Sequence, residues 1–423
     1  MCLCAGCMIF IYSPVHSQIQ SDTLHLTLPE TEALFLQKNL QLLAQHYNVK
    51  SDSALIRQAK LWDNPSISVD QNVYVNHRFF EHGEDDAGNP TGQFYVQIQQ
   101  LIQLGGKRHK AMAVAGANAL VTQLQFEELM HSLRQTLRKD FYSILQQERY
   151  ARLYQQELDE MDKLVSSMEG QLKAGNIARK DLLRVQAVQV GLQQELVENA
   201  RTLEDTQNEI RTLLSLTGNE YIRPEGEKLS SIPSLPSQGI DELTNLARQH
   251  NPSYLIAKQQ LNYQKLSYRY QKSLAVPDLN VGPNYDRASN FAPNYFGLTL
   301  GIPIPIFNRN QGNIKAAAFN VQQHESLLGS EDVNLQNDVR AAYRKLALSL
   351  SIVGTKTTIF YNDYRDLFDN IIQSYRNRQL SLVEFIDYLN GYEDIREKQL
   401  QQQLSIQLAK EELNFQVGMD VVQ

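Results

Sequence analysis

The segment His77-Arg-Phe-Phe-Glu81-His82 puts two imidazoles and a carboxylate within six residues, the side chains that hold zinc and activate its water. Its spacing is one residue too long for His-x-x-Glu-His. It also lies between two strand-like runs, in residues 76–92 with Gly83, Gly88 and Pro90, rather than on a helix. A solvated loop is the simpler reading. Gly105-Gly106-Lys107-Arg108 has the composition of a phosphate cradle but lacks the Gly-x4-Gly-Lys-Ser/Thr spacing. There is no Gly-x-Ser-x-Gly, no dinucleotide fingerprint and no His/carboxylate cluster at ligand spacing. Neither catalysis nor a cofactor is expected.

All three cysteines, Cys2, Cys4 and Cys7, fall in the first seven residues. They open a short apolar block, CLCAGCMIFIY, followed by Ser-Pro and Val15-His16-Ser17-Gln18. This pattern predicts a secretory signal over 1–17, cut after Ser17. The usual basic n-region is missing, as a truncated start would produce. Cys7 precedes most of the apolar block, which disfavours lipidation. The mature chain then has no cysteine for disulfides, thiolate chemistry or zinc.

The 423 residues carry 40 Lys+Arg against 47 Asp+Glu, a net charge of −7, with a mean hydropathy of −0.40. Past the first dozen residues no apolar run approaches the ~18–20 residues of a membrane-spanning helix. Mild acidity argues against nucleic acid as a partner, because phosphate binding needs a basic face.

The thirteen prolines leave two stretches free, 91–223 and 306–423, both rich in straight-chain helix formers. In the first, Leu120, Leu124, Leu133, Leu137, Phe141 and Leu145 recur at threes and fours or their sums, the narrow stripe of packed long helices. Gly175-Asn176 divides it into helices over about 107–172 and 178–217, and a break near 377–381 divides the second into about 312–376 and 382–416. Some 65 helical residues span about 100 Å.

The halves repeat. Asn39, Pro65 and Val69 match Asn251, Pro277 and Val281 at an offset of 212; Phe94 and Leu104 match Phe296 and Ile306 at 202. The turn at 173–181 matches 376–384 at 203. Each unit, 18–222 and 240–423, reads helix, strand, strand, long helix, helix. Residues 223–239, with Pro224, Pro233 and Pro236, have linker composition.

Strands are expected over about 66–76, 93–104, 278–286 and 294–306. In the first, Ile67, Val69, Val73 and Val75 alternate with Ser66, Ser68, Asp70 and Asn72; in the last, Phe296, Leu298, Leu300, Ile302, Ile304 and Ile306 share one face. Alternation over about ten residues with one polar face suits a membrane β-barrel with a wet lumen. A half-buried soluble sheet explains any single strand equally well. Four such strands in two hairpins, on a secreted chain joined to ~100 Å helices, favour the barrel. Four strands cannot close one, since lipid tolerates no open edge and the smallest barrels have about eight. A dimer would give a packed eight-stranded barrel, a trimer twelve strands with room for a channel.

In this arrangement, and in the junctions Gln100-Leu-Ile-Gln-Leu-Gly-Gly-Lys-Arg108 and Gly301-Ile-Pro-Ile-Pro-Ile-Phe-Asn-Arg-Asn-Gln-Gly312, the mature chain resembles the outer-membrane factor (TolC-like) family of efflux channels. The junctions are most similar to its CzcC-like heavy-metal branch. The resemblance implies a mainly α homotrimer, with a twelve-stranded outer-membrane β-barrel and a twelve-helix periplasmic α-barrel. It implies a periplasmic adaptor and a resistance-nodulation-division inner-membrane pump as partners, with outer-membrane lipid around the barrel. Heavy-metal cations are the favoured cargo; drugs carried by the same fold, or a secreted structural coiled coil without a channel, are the alternatives.

Site residues follow by position. At the barrel-to-helix junctions Gly105 and Gly106, matched to Phe307 and Asn308, let the chain turn; Pro303 and Pro305 remove alternate ladder donors. Lys107, Arg108 and Arg309 would face anionic headgroups. The resemblance makes 173–181 and 376–384 the periplasmic tips, with Lys173, Gly175, Asn176, Arg376, Arg378 and Ser381 docking the adaptor. Asp181, Glu384 and Asp387 would form the pore entrance with Tyr375 as gate residue, although Leu380 occupies the position where the family's gating arginine is expected. Carboxylates there also suit helix N-termini without any pore role.

Overall fold

The computed structural model of the chain describes residues 22–75, 77–353, 359–361, 364 and 367–422. The expected signal segment, 1–17, lies outside them. In chain order the elements are β1 (Thr23–Thr27), α1 (Leu28–Lys38), α2 (Leu40–Lys60), β2 (Ser66–Gln71), β3 (Tyr74–Val75), β4 (Arg78–Phe79), β5 (Phe94–Ile102), α3 (Lys107–Lys173), α4 (Arg179–Leu213), β6 (Tyr221–Glu225), α5 (Ile240–His250), α6 (Pro252–Leu274), β7 (Leu279–Ala288), β8 (Pro293–Gly301), α7 (Gln311–Ser351), α8 (Leu367–Arg376) and α9 (Leu382–Val417). None of the described helices is long and apolar enough to cross a membrane.

Two compact units divide the chain, and neither coincides with a sequence repeat. The first holds the described part of Met1–Asn39, with Thr136–Ile232 and Ser349–Leu408; the second holds Leu40–Gln135, Pro233–Leu348 and Ala409–Gln423. Each draws on both halves of the duplication.

The second unit contains a four-stranded antiparallel sheet of order β2-β5-β7-β8. One hairpin comes from each repeat, joined where β5 pairs with β7. β8 stops at Gly301, short of the residue 306 expected, because Pro303 and Pro305 offer no N–H to a ladder. β2 likewise ends at Gln71, and Val75 belongs instead to the small β3–β4 ribbon.

In the first unit β1 pairs in parallel with β6. The side-chain amide of Gln207 closes the free side of β6: it accepts from the Ile222 N–H at 2.9 Å and donates to the Ile222 carbonyl at 2.7 Å. The expected linker 223–239 is therefore not simply a spacer. Its first residues are strand, and Leu229 is buried against Phe141, Tyr142 and Leu145. Gln407 holds that segment by donating to the Ser231 carbonyl at 2.6 Å.

The duplication is visible in how each repeat closes. Asn39 and Asn251 both leave helical geometry, with ψ of 117° and 118°. The Asn39 amide donates to the Leu213 carbonyl at 2.8 Å and the Asn251 amide to the Gln416 carbonyl at 3.0 Å. Each asparagine thus separates two helices and satisfies the open end of its repeat's last one.

The helix expected over 312–376 does not continue through that range. α7 ends at Ser351, where the Val353 N–H reaches back to Leu350 at 3.0 Å, and 354–358 lie outside the described residues. Ile352-Val353-Gly354-Thr355 combines β-branched residues with glycine, a weak helical stretch that proline counting does not detect.

Candidate functional site

Strand alternation gives the sheet two unlike faces. Val69, Val96, Tyr285 and Phe296 stand in one cross-strand row. Ile67, Val69, Ile98, Phe296, Leu298 and Leu300 are all exposed. The next row, Ser68, Gln97, Asn284 and Gly297, lies on the other face and is polar. There Gln97 donates to Thr299 at 2.9 Å and Gln93 to Asp286 at 3.1 Å. So continuous an exposed apolar face is costly in water and favourable in hydrocarbon. Such a sheet separates lipid on one side from water on the other.

At the base of the sheet the chain turns into the long helices. Gly105 and Gly106 have φ of 68° and 69°, the left-handed region where a Cβ is strained, and α3 starts at the next residue. In the second repeat the equivalent is Asn310, φ 59°, directly before α7. The Lys110 N–H reaches the Gly106 carbonyl at 3.1 Å, as the Ile314 N–H reaches Asn310 at 3.0 Å. The counterpart of Gly106 is thus Asn310, not Asn308, whose side chain instead accepts from the Asn310 N–H at 3.0 Å.

Lys107 does not face headgroups. It is buried, and its ammonium lies 2.6 Å from Asp278, which also accepts the Leu104 N–H at 3.0 Å. One carboxylate thus ties the end of β5, the start of α3 and the start of β7. Arg108 stacks over Trp62, 4.0 Å from the ring centroid, and donates to the Lys60 carbonyl. Only Arg309 of the three cations is exposed without a side-chain partner among the described residues.

The His77–His82 segment is a structured turn. Glu81 is buried and accepts from Thr91 at 2.9 Å, the Gly83 N–H at 3.1 Å and Arg78 at 3.5 Å. With those donors engaged, Glu81 fixes the loop and is no base for a metal-bound water. Among the described residues no group of three His, Cys, Asp or Glu could hold a metal ion.

Both helix-to-helix turns expected at the tips lie in the first unit. In each, two reverse bonds end the helix: Gly175 to Leu172 at 3.0 Å and Asn176 to Gln171 at 2.9 Å, then Arg378 to Tyr375 at 3.0 Å and Gln379 to Ser374 at 2.8 Å. Ile177 and Leu380 pack on one apolar cluster with Leu164, Met168, Leu182, Ile371 and Phe385. Leu380 is therefore a packing residue. Lys173, Gly175, Asn176, Arg376, Arg378 and Ser381 are exposed.

The candidate entrance residues differ in what holds them. Glu384 accepts the Ser381 N–H at 2.9 Å while Ser381 accepts the Glu384 N–H, a capping box that holds the carboxyl below its usual range. Ala178, the counterpart of Ser381, makes no side-chain cap. Tyr375 stacks on Phe385 with centroids 4.6 Å apart. Burial pushes its hydroxyl pKa up, and the Asp181 charge adds to the rise. Asp387 is exposed.

Arg378 has φ of 60° at the position where the first repeat has Gly175, φ 74°. Arg378→Gly is expected to raise stability by about 0.5–1 kcal/mol, since the left-handed cost of a side chain exceeds the entropy that glycine adds to the unfolded chain. Thermal melting checks this; an unchanged or lower midpoint refutes it.

A family model described as "Outer membrane efflux protein" matches residues 33–216 and 243–352. The cobalt-zinc-cadmium resistance protein CzcC of Cupriavidus metallidurans is 22% identical over 324 residues, 77% of this chain and 73% of that protein. Among solved structures, a membrane protein from Pseudomonas aeruginosa aligns with a TM-score of 0.75 at 12% identity, covering 99% of this chain and 100% of the other. CusC aligns with a TM-score of 0.73 at 16% identity, covering 95% and 94%.

Proposed function

The chain belongs to the outer membrane efflux protein family, and from that premise we propose that three copies form one passive exit duct for heavy-metal cations. As a member it is an outer-membrane efflux channel, not an enzyme. The observation that carries the assembly is the sheet with an exposed apolar face, whose outer strands β2 and β8 each pair on one side only among the described residues. Joining edge to edge removes every open edge, and three copies bring twelve strands, enough for a lumen.

A periplasmic adaptor and an inner-membrane pump of the resistance-nodulation-division class complete the path, and the pump supplies energy and substrate choice. The similarity to a protein named for cobalt, zinc and cadmium resistance, over most of both chains, supports the choice of cargo. Lys173, Arg376 and Arg378, with Gly175, Asn176 and Ser381, form the adaptor-docking surface, and their positive charge calls for an acidic counterpart on the adaptor. The test is twofold. Detergent-corrected light scattering should give the mass of a trimer, and loss of the chain should sensitise its host to zinc, cobalt or cadmium. A monomer sinks the assembly; sensitivity to drugs but not metals sinks the cargo.

Threefold symmetry turns Asp181, Glu384 and Asp387 into carboxylate rings at the entrance, with Tyr375 beside them as the gate. Glu384→Gln with Asp387→Asn is expected to lower cation selectivity in planar-bilayer recordings. The glutamine oxygen still accepts the Ser381 N–H, so the cap survives. Unchanged reversal potentials would refute the ring.

A further inference from the structure

Three arginines converge on a cleft in the first unit. Arg149, Arg152 and Arg396 line a cavity of about 350 Å³ with Gln156, Gln399 and Gln403. Ser230 and two leucines complete the lining, which contains no aspartate or glutamate. Three guanidinium groups held together without a carboxylate repel one another, an arrangement that an incoming anion relieves.

The partners these arginines have are weak or neutral. Arg149 donates to Gln403 at 3.1 Å, Arg152 to the Glu148 carbonyl at 3.2 Å and Arg396 to Gln399 at 2.7 Å. None of the three makes an ion pair among the described residues; Glu148, the carboxylate nearest Arg152 in sequence, is engaged by Arg223 at 3.3 Å. The Nε of Arg396 is buried with no acceptor among the described residues. Burial, then the charge of Arg152, lowers the pKa of Arg149, the response of a cation lacking its counter-charge. Glu157, whose carboxyl interacts with the charge of Arg396, does not line the cleft.

We propose that this cleft binds a small multiply charged oxyanion of the phosphate or sulfate type, gripped by Arg149 and Arg396 with Arg152 at its edge. Guanidinium groups match such an anion through paired N–H donors. Gln156, Gln399, Gln403 and Ser230 can add neutral hydrogen bonds, and the volume admits the ion together with water. None of its residues belongs to the polar sheet face or to the tip turns, and its existence does not depend on what the channel carries.

The test is calorimetric titration of the full-length, detergent-solubilised protein with sodium phosphate and, separately, sodium sulfate, at constant ionic strength in chloride. One saturable site per chain is expected for both ions, weakened roughly tenfold or more in Arg149→Gln and in Arg396→Gln, each of which loses a charge-assisted hydrogen bond. Gln156→Glu, at an exposed lining position, should place a carboxylate in the cleft, abolish binding and raise the melting midpoint in phosphate-free buffer. Because this variant leaves all three arginines in place, it keeps the proposal testable should their loss impair folding. No saturable heat, or equal affinity in wild type and all three variants, overturns the site. A neighbouring copy's carboxylate already filling the cleft would give the first of these results.

Discussion

Asp278→Ala is expected to destabilise the protein by about 3–5 kcal/mol, the range for removing one partner of a buried ion pair. The loss has two parts. The buried Lys107 ammonium, 2.6 Å from Asp278, would keep its charge without a counter-ion, and the Leu104 N–H would lose its acceptor. Both sit where β5 ends and α3 begins, so the strand-to-helix turn fails with them. Lys107→Met with Asp278→Leu should recover most of the loss, because a desolvated pair is worth little more than apolar side chains of similar volume. Melting of the purified protein and the fraction reaching the outer membrane report the effect. Asp63→Ala removes a carboxylate bonded to the exposed Gln103 side chain at 2.8 Å and serves as control. If Asp278→Ala costs no more than that control, the pair has no structural role.

This pair also marks where sequence reasoning stopped. The strands of the sheet were legible because alternation is a local signal: Val69 and Phe296 announce their face through residues two positions away. The duplication was legible from repeated spacings, and Asn39 and Asn251 gave it physical meaning once each was found closing its own repeat. Lys107, by contrast, reads as a solvated cation beside Arg108, since its partner is 171 residues away and looks like one more polar strand residue. The same holds for Arg149, Arg152 and Arg396, scattered through Gln-rich helices with nothing local to show that they meet. Asn308 falls opposite Gly106 at the offset of 202, whereas the left-handed φ of Asn310 identifies the true counterpart. At the tips, spacing located the turns, but the Ser381–Glu384 capping box explains one carboxylate without any pore role.

A pH dependence of stability is expected from the interior of the first unit. Glu157 is 1% exposed, and neither of its carboxylate oxygens has a hydrogen-bond partner among the described residues. Burial first, then the negative charge of Glu393, pushes its pKa up to about 8, against the opposing pull of Arg396. Burial and the charge of Glu397 likewise push Glu393 up to about 7. Glu397 accepts from the Tyr154 hydroxyl at 2.6 Å. Between the ordinary carboxylate range and about pH 8, the folded chain therefore holds a proton on Glu157 that the unfolded chain has released. Stability then falls as pH rises through that window and levels off above it, by on the order of 4 kcal/mol. Glu157→Gln removes the titration while keeping the shape. It should change melting little at about pH 5.5 and raise the midpoint at about pH 8.5, where the wild type must bury an anion. Because the two carboxylates interact, the wild type should lose stability in two overlapping steps, of which the variant lacks the upper one. Parallel melting curves for the two proteins across that range would mean that Glu157 is ionised throughout, which would require Arg396 to compensate its burial in full.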